Sequence, residues 1–212
     1  MHLAVFGGTF DPPHNGHLAL CLFARELLNI DRFIVSVSNN PFKHKRYADD
    51  EHRKRMAGLL SSEINLTGCC SEVSCWEVRK RQSSYTVDLL QYIHSIYPHN
   101  RLTLLIGEDS FRTFNSWKDY EQLYLLCNIV VFGRASSIVH VPQSIIPQSN
   151  ETIRFIDFSY PVSSTTIREL VASGQSIKKF VPLSVHHYIM QHGLYQLPAL
   201  PTLSQAQKHR ES

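Results

Sequence analysis

Leu3-Ala4-Val5-Phe6-Gly7-Gly8-Thr9-Phe10-Asp11-Pro12-Pro13-His14-Asn15-Gly16-His17 is the stretch on which the reading of this chain turns. Leu3 to Phe6 is a short apolar run that reads as a strand. Gly7-Gly8 lets the backbone turn tightly and approach a ligand closely. Pro12-Pro13 stiffens the loop that follows. The amides of Gly8, Thr9 and Phe10 are then placed to point at an anion. With a helix beginning near Asn15, His14 and His17 fall at its first turn, where orphan N–H groups and the helix dipole favour phosphate. Imidazoles are suitable donors to phosphate oxygens, and their charge responds near neutral pH. The plain alternative is a strand-to-helix turn carrying two surface histidines. A His-x-x-His zinc pair has no evident third ligand.

Outward from this segment the pattern alternates. A helical pattern runs from about His17 to Leu28, and Phe33 to Val37 reads as a second strand. Glu51 to Leu60 reads as a helix, then Ile64 to Thr67 and Glu72 to Trp76 as short strands. Tyr85 to Tyr97 has helical spacing, and Leu102 to Ile106 is a near-continuous apolar strand. A helix begins near Asp119. Asn128 to Phe132 and Thr152 to Ile156 are further strand candidates. Ser163 to Ser173 and Leu183 to His192 read as helices, the last ended by Gly193. Strands alternating with helices predict an α/β chain with a parallel sheet covered on both faces. Ligands of such sheets sit beyond the carboxyl ends of the strands.

Composition narrows the class. The chain has 212 residues, 43% hydrophobic and 18% charged, which is enough for a core and too little charge for disorder. A net charge of +3 suits anionic ligands without arguing for nucleic acid. The basic stretch between Lys43 and Arg55 is interrupted by Asp49, Asp50 and Glu51, which weighs against a nucleic-acid module. The five cysteines are an odd number, and the first residues show no signal-peptide pattern. These features give the expectation of free thiols and a cytoplasmic location. Cys69, Cys70 and Cys75 fit no common zinc spacing, so no metal site is expected from the protein's own side chains. No run approaches the ~20 apolar residues of a membrane span.

The segment Gly7 to His17 resembles the (T/H)xGH signature of the nucleotidylyltransferase superfamily. Val162-Ser163-Ser164-Thr165-Thr166-Ile167-Arg168 resembles its ISSTxIR signature, with Val162 in place of isoleucine. On the residues alone, the second string is a helix N-cap at Ser163 or Ser164 followed by an arginine. The middle of the chain resembles the bacterial nicotinate-nucleotide adenylyltransferases in Ser84-Tyr85-Thr86-Val87-Asp88, Ile106-Gly107-Glu108-Asp109-Ser110 and Phe114-Asn115-Ser116-Trp117-Lys118. Gly193-Leu194-Tyr195 matches that family's usual ending. The resemblance covers residues 1 to 196, read as one catalytic domain, and leaves 197 to 212 as a flexible tail.

The resemblance implies a Rossmann-like doubly wound parallel sheet with helices on both faces. It implies transfer of AMP from ATP to nicotinate mononucleotide, giving deamido-NAD and pyrophosphate in NAD biosynthesis, with Mg²⁺ accompanying ATP. His14 and His17 would be catalytic. Gly7, Gly8, Thr9, Phe10, Lys45, Ser164, Thr165 and Arg168 would bind ATP. Tyr85, Thr86, Asp109 and Trp117 would bind the mononucleotide. Trp117 suits stacking on the flat, electron-poor nicotinate ring. Amides at the Thr86 helix start suit its carboxylate. Asp109 suits a ribose hydroxyl or Mg²⁺-bound water. The family's Pro-Pro-His-Lys string is replaced here by Asn39-Asn40-Pro41-Phe42-Lys43-His44-Lys45-Arg46. Lys43 and Lys45 are therefore both candidates for the phosphate contact, with His44 behind them. Nicotinamide mononucleotide is the alternative acceptor, since no lysine or arginine is visibly committed to the carboxylate. A non-catalytic nucleotide sensor on the same fold is the alternative from another class.

Overall fold

The computed structural model describes residues 1–39, 46–68, 70–80, 83–133 and 153–197. Six strands form one sheet: β1 (His2–Gly8), β2 (Arg32–Val37), β3 (Cys70–Ser74), β4 (Arg101–Gly107), β5 (Asn128–Gly133) and β6 (Ile153–Asp157). Their order is β3-β2-β1-β4-β5-β6, and every pairing is parallel. This is the doubly wound order with β1 at the centre. The chain first builds outward on one side of β1 and then returns to its other flank at β4. The crevice of such a sheet lies where that reversal occurs, beyond the carboxyl ends of β1 and β4.

Alternation along the strands explains why both faces are covered. Ala4 and Phe6 point into one core with Phe33, Val35, Leu105 and Val130. Leu3 and Val5 point into the other with Ile34, Leu104, Ile106 and Ile129. Period-two alternation sends neighbours to opposite faces, so a strand buried on both must be apolar throughout. The first core is closed by α1 (Asn15–Leu28) and α2 (Asp50–Leu66). The second is closed by α4 (Thr86–Ile96), the one-turn α5 (Glu108–Phe111) and α6 (Tyr120–Leu126). The short α3 (Trp76–Arg79) follows β3. A third cluster joins Met56 of α2 to Ile167 and Val171 of α7 (Ser164–Ala172) and to Val185 and Ile189 of α8 (Leu183–Gln191). That cluster draws the carboxyl-terminal helices toward the segment after β1.

Two sequence readings are corrected. Residues 64–66 are not a strand but the last turn of α2. Met56, Leu60 and Ile64 recur every four residues and are all 0% exposed, so the core-facing stripe extends the helix one and a half turns further. The third strand is Cys70–Ser74 rather than 72–76, because pairing with β2 ends at Ser36 and Ser74. Trp76 instead opens α3 and stacks on Tyr92 of α4, with ring centroids 4.8 Å apart. Thr152, Cys69 and the tail from residue 198 lie outside the described residues. No helix among the described residues is long and apolar enough to cross a membrane. Nor do they include a group of three or more His, Cys, Asp or Glu able to hold an ion.

Candidate active site

The turn after β1 is held from several sides. Phe10 has φ of 49° yet is 1% exposed. Its ring lies against Gly8, where a Cβ would stand 2.9 Å from the ring's Cζ, so only glycine leaves room there. The ring also meets Phe6 and His17 edge-on, at centroid distances of 5.9 and 5.4 Å. Arg53 of α2, fully buried, donates to the carbonyls of Thr9 and Ser38, each at 3.0 Å, and to Asp50 Oδ1 at 2.6 Å. Asp11 is 4% exposed and accepts from Tyr47 N–H at 2.8 Å, Ala48 N–H at 3.1 Å and the Tyr195 hydroxyl at 2.8 Å. Burial and the Asp11 charge push the Tyr195 phenol upward, so it stays protonated and donates.

His14 is the N-cap of α1, and Asn15 N–H donates to the Phe180 carbonyl at 2.8 Å. Burial pushes the His14 imidazole down to about 4, because charging it away from water is costly. It is therefore neutral at physiological pH. The His14 N–H donates to His17 Nδ1 at 3.1 Å. That bond makes Nδ1 an acceptor, and in the neutral ring the proton then sits on Nε2. The two rings lie against each other at a 30° tilt, with centroids 3.7 Å apart. Gly16 lies under the His14 ring: a Cβ there would stand 2.9 Å from Nδ1 and 3.3 Å from Cδ1 of Tyr160. His14 Nδ1 is buried without a hydrogen-bond partner among the described residues.

The start of α7 docks on the same loop. Ser163 is the N-cap, accepting from Thr166 N–H at 3.1 Å. Ser164 Oγ donates to the Pro12 carbonyl at 2.8 Å. Arg168 donates to the Asp11 carbonyl at 2.7 Å and to Thr165 Oγ1 at 3.0 Å, and its guanidinium lies 4.1 Å from the Tyr47 ring centroid. The two signature segments thus meet, although 152 residues separate Pro12 from Ser164. The hydroxyls of Ser163 and Ser164 are engaged by the protein, so an anion here would be met by backbone N–H groups and the remaining arginine donors.

On the other flank of β1 a cleft, partly open to solvent, lies beyond the ends of β1 and β4. Gly7, Gly8, Gly107, Ser84, Tyr85, Thr86 and Trp117 are on its walls. Tyr85 is the N-cap of α4, with no side chain capping the first-turn N–H groups. Glu77 of α3 also lines the cleft, 4% exposed, and accepts from Ser36 Oγ at 3.0 Å, Ser84 Oγ at 2.7 Å and Asn39 N–H at 3.3 Å. It ties the end of β2 to the entry of α4.

Residues 5–170 match the model of the cytidylyltransferase-like family. The chain is 59% identical over 196 residues to a protein of Pelodictyon phaeoclathratiforme, covering 92% of each chain. It is 56% identical over 196 residues to one of Chlorobium limicola, covering 92% of this chain and 99% of the other. Both relatives are named "probable nicotinate-nucleotide adenylyltransferase". The chain belongs to the nicotinate-nucleotide adenylyltransferase family. Its fold also matches that of a Plasmodium falciparum nicotinic acid mononucleotide adenylyltransferase solved in complex with NaAD, with a TM-score of 0.72 at 20% identity, covering 92% of this chain and 97% of that one.

The structure gathers most of the residues expected for such an adenylyltransferase and separates one. Gly7, Gly8, Tyr85, Thr86 and Trp117 line the cleft. Thr9, Phe10, His14, His17, Ser164, Thr165 and Arg168 surround the turn. Asp109 is exposed on α5 and does not line the cleft, where Ser110 stands instead. The one-turn helix α5 carries successive side chains about 100° apart, so one of the two must face away. His14 does not titrate near neutrality as expected, because its ring is 9% exposed. Lys43, His44 and Lys45 lie outside the described residues. In the described part of the basic stretch Arg46 and the buried Arg53 pair with Asp50, and Lys54 with Glu51. Arg53 and Glu77 carry structural duties that no local pattern announced, while Asp11 and Gly16 do so from within the Gly7 to His17 segment.

Proposed function

We propose that this site transfers the adenylyl group of ATP to nicotinate mononucleotide, giving deamido-NAD and pyrophosphate. One observation carries the reading: the cleft lined by Tyr85, Thr86 and Trp117 and the turn leading to His17 share Gly8 and adjoin at the carboxyl end of β1. In this reading the mononucleotide lies in the cleft, with its ring on Trp117 and its carboxylate toward the first-turn amides of α4. ATP lies against Gly8 to Phe10, the histidines and the start of α7. Mg²⁺ enters as part of the ATP substrate, which keeps it on phosphate oxygens and water. Lys45 is retained as a candidate phosphate contact, and Asp109 as a mononucleotide contact that would require the ligand to extend over α5.

The 5′-phosphate oxygen of the mononucleotide attacks the α-phosphorus of ATP. A new oxygen–phosphorus bond forms as the bond to the pyrophosphate oxygen breaks in line with it. The attacking oxygen is ionised at neutral pH, so no general base is required. Catalysis then rests on positioning and on donors aimed at the charge that develops. His17 Nε2–H is such a donor, and the neutral His14 holds it by ring contact and through its backbone N–H. Residues 1–196 are taken as the catalytic domain, supported by relatives that align over 92% of the chain. A cytoplasmic location accompanies the reading, supported by the reduced thiols of Cys21, Cys70, Cys75 and Cys127.

His17→Ala tests the mechanism. Loss of one transition-state donor should lower kcat by about 10²-fold, with the thermal midpoint kept. Turnover close to wild type would remove His17 from the chemistry.

A further inference from the structure

Among the described residues two charged side chains line the cleft, Glu77 and Lys118. They differ in what they have left to offer. Glu77 is buried and holds three donors from Ser36, Ser84 and Asn39. Its carboxylate is saturated by the protein. Lys118 follows Trp117, with its side chain 45% exposed. Its ammonium contacts Asp88 Oδ1 of α4 at 3.3 Å and lies 5.0 Å from the Tyr85 ring centroid. An ammonium has three donors, and this one makes a single long contact to a carboxylate.

We propose that Lys118 is a specificity-determining residue: its ammonium meets the carboxylate of the acceptor and favours nicotinate over nicotinamide mononucleotide. The inference rests on the adenylyl-transfer reading above. The acid and amide acceptors share a shape and differ by one negative charge, so shape cannot separate them. Backbone N–H groups at the start of α4 can donate to a carboxylate or an amide oxygen, with the helix N-terminus favouring the charged acid. An ammonium adds to that preference, because it only donates, gains from the full charge of the acid and opposes the amide NH₂. Asp88 and the Tyr85 ring hold this cation beside Thr86 and Trp117, where the acceptor's ring is placed. Because Lys118 is half in solvent, its effect is screened and should be modest.

The test uses the full chain with Lys118→Met and Lys118→Arg. Pyrophosphate release is measured at saturating ATP, giving kcat/KM for each mononucleotide, together with thermal midpoints. K118M should lower the acid-to-amide preference about tenfold, mainly through the KM of nicotinate mononucleotide, with the midpoint unchanged. K118R should keep most of the preference. Raising salt should erode the preference of the wild type and leave that of K118M flat. A K118M preference within about twofold of wild type, or equal losses for both acceptors, overturns the proposal. If the wild type releases no pyrophosphate with either mononucleotide, the adenylyl-transfer reading itself fails and this one with it.

Discussion

Gly16→Ala separates what this loop does for folding from what it does for chemistry. Gly16 is the second residue of α1, and its backbone angles suit any residue. By helix propensity alone alanine would stabilise by up to about 1 kcal/mol. The Cβ, however, would stand 2.9 Å from His14 Nδ1 and 3.0 Å from its Cε1. Relaxing that contact to ~3.5 Å requires the ring to move by about 0.6 Å. It cannot move freely, since His14 is 9% exposed and its ring lies 3.7 Å from that of His17. Overpacking of this kind costs roughly 1–3 kcal/mol. The two effects leave a net loss of about 0–2 kcal/mol and a thermal midpoint lower by a few degrees, roughly 2–4 °C per kcal/mol for a chain of this size. Turnover should fall much further, by about 10²-fold, because a displaced His14 carries His17 Nε2 off its line. The assay is pyrophosphate release at saturating substrates beside thermal unfolding of the same samples. A G16A enzyme within about threefold of wild-type kcat, roughly 0.6 kcal/mol in barrier, would refute the claim that the ring position is set by this contact.

Trp117→Ala should raise the KM of nicotinate mononucleotide by about tenfold, the upper end of what an aromatic contact contributes beyond area, while moving the KM of ATP much less; equal changes would make Trp117 a packing residue only. Stability should also depend on pH through His14. Its folded value of about 4 lies below the ordinary 6.5, so the unfolded chain binds the extra proton first and stability falls as pH drops from 6.5 toward 4. The loss between pH 7 and 5 is about 2 kcal/mol, to be read from urea midpoints. The same comparison in His14→Gln should show a correspondingly flatter pH dependence, and an unchanged slope would place the imidazole in water.

Most of the architecture was readable in the sequence because the central strands are buried on both faces. Leu3 to Phe6 and Leu102 to Ile106 had to be near-continuous apolar runs, and they were. Helix ends were equally plain where chemistry marks them, as at Ser163 before α7. The errors fell where two periods compete. Ile64 to Thr67 is short and β-branched enough to suggest a strand, and only the core contacts of Met56 and Leu60 show that α2 continues. The site was readable through its signatures, yet its supporting residues were not. Asp11 bonds Tyr195 across 184 residues, and Ser164 bonds Pro12 across 152. No local spacing encodes such partners. Glu77 and Lys118 face the cleft for the same long-range reason, since the strand and helix between them set which side chains converge there.

Adenylyl transfer to a pyridine mononucleotide is tested most directly by one assay. The purified chain is given ATP and Mg²⁺ with nicotinate mononucleotide, nicotinamide mononucleotide or phosphopantetheine in parallel, and pyrophosphate and the dinucleotide product are measured. Deamido-NAD and equimolar pyrophosphate are expected with nicotinate mononucleotide, a lower kcat/KM with the amide, and no product with phosphopantetheine. Pyrophosphate release that favours phosphopantetheine, or that occurs with neither mononucleotide, would contradict it.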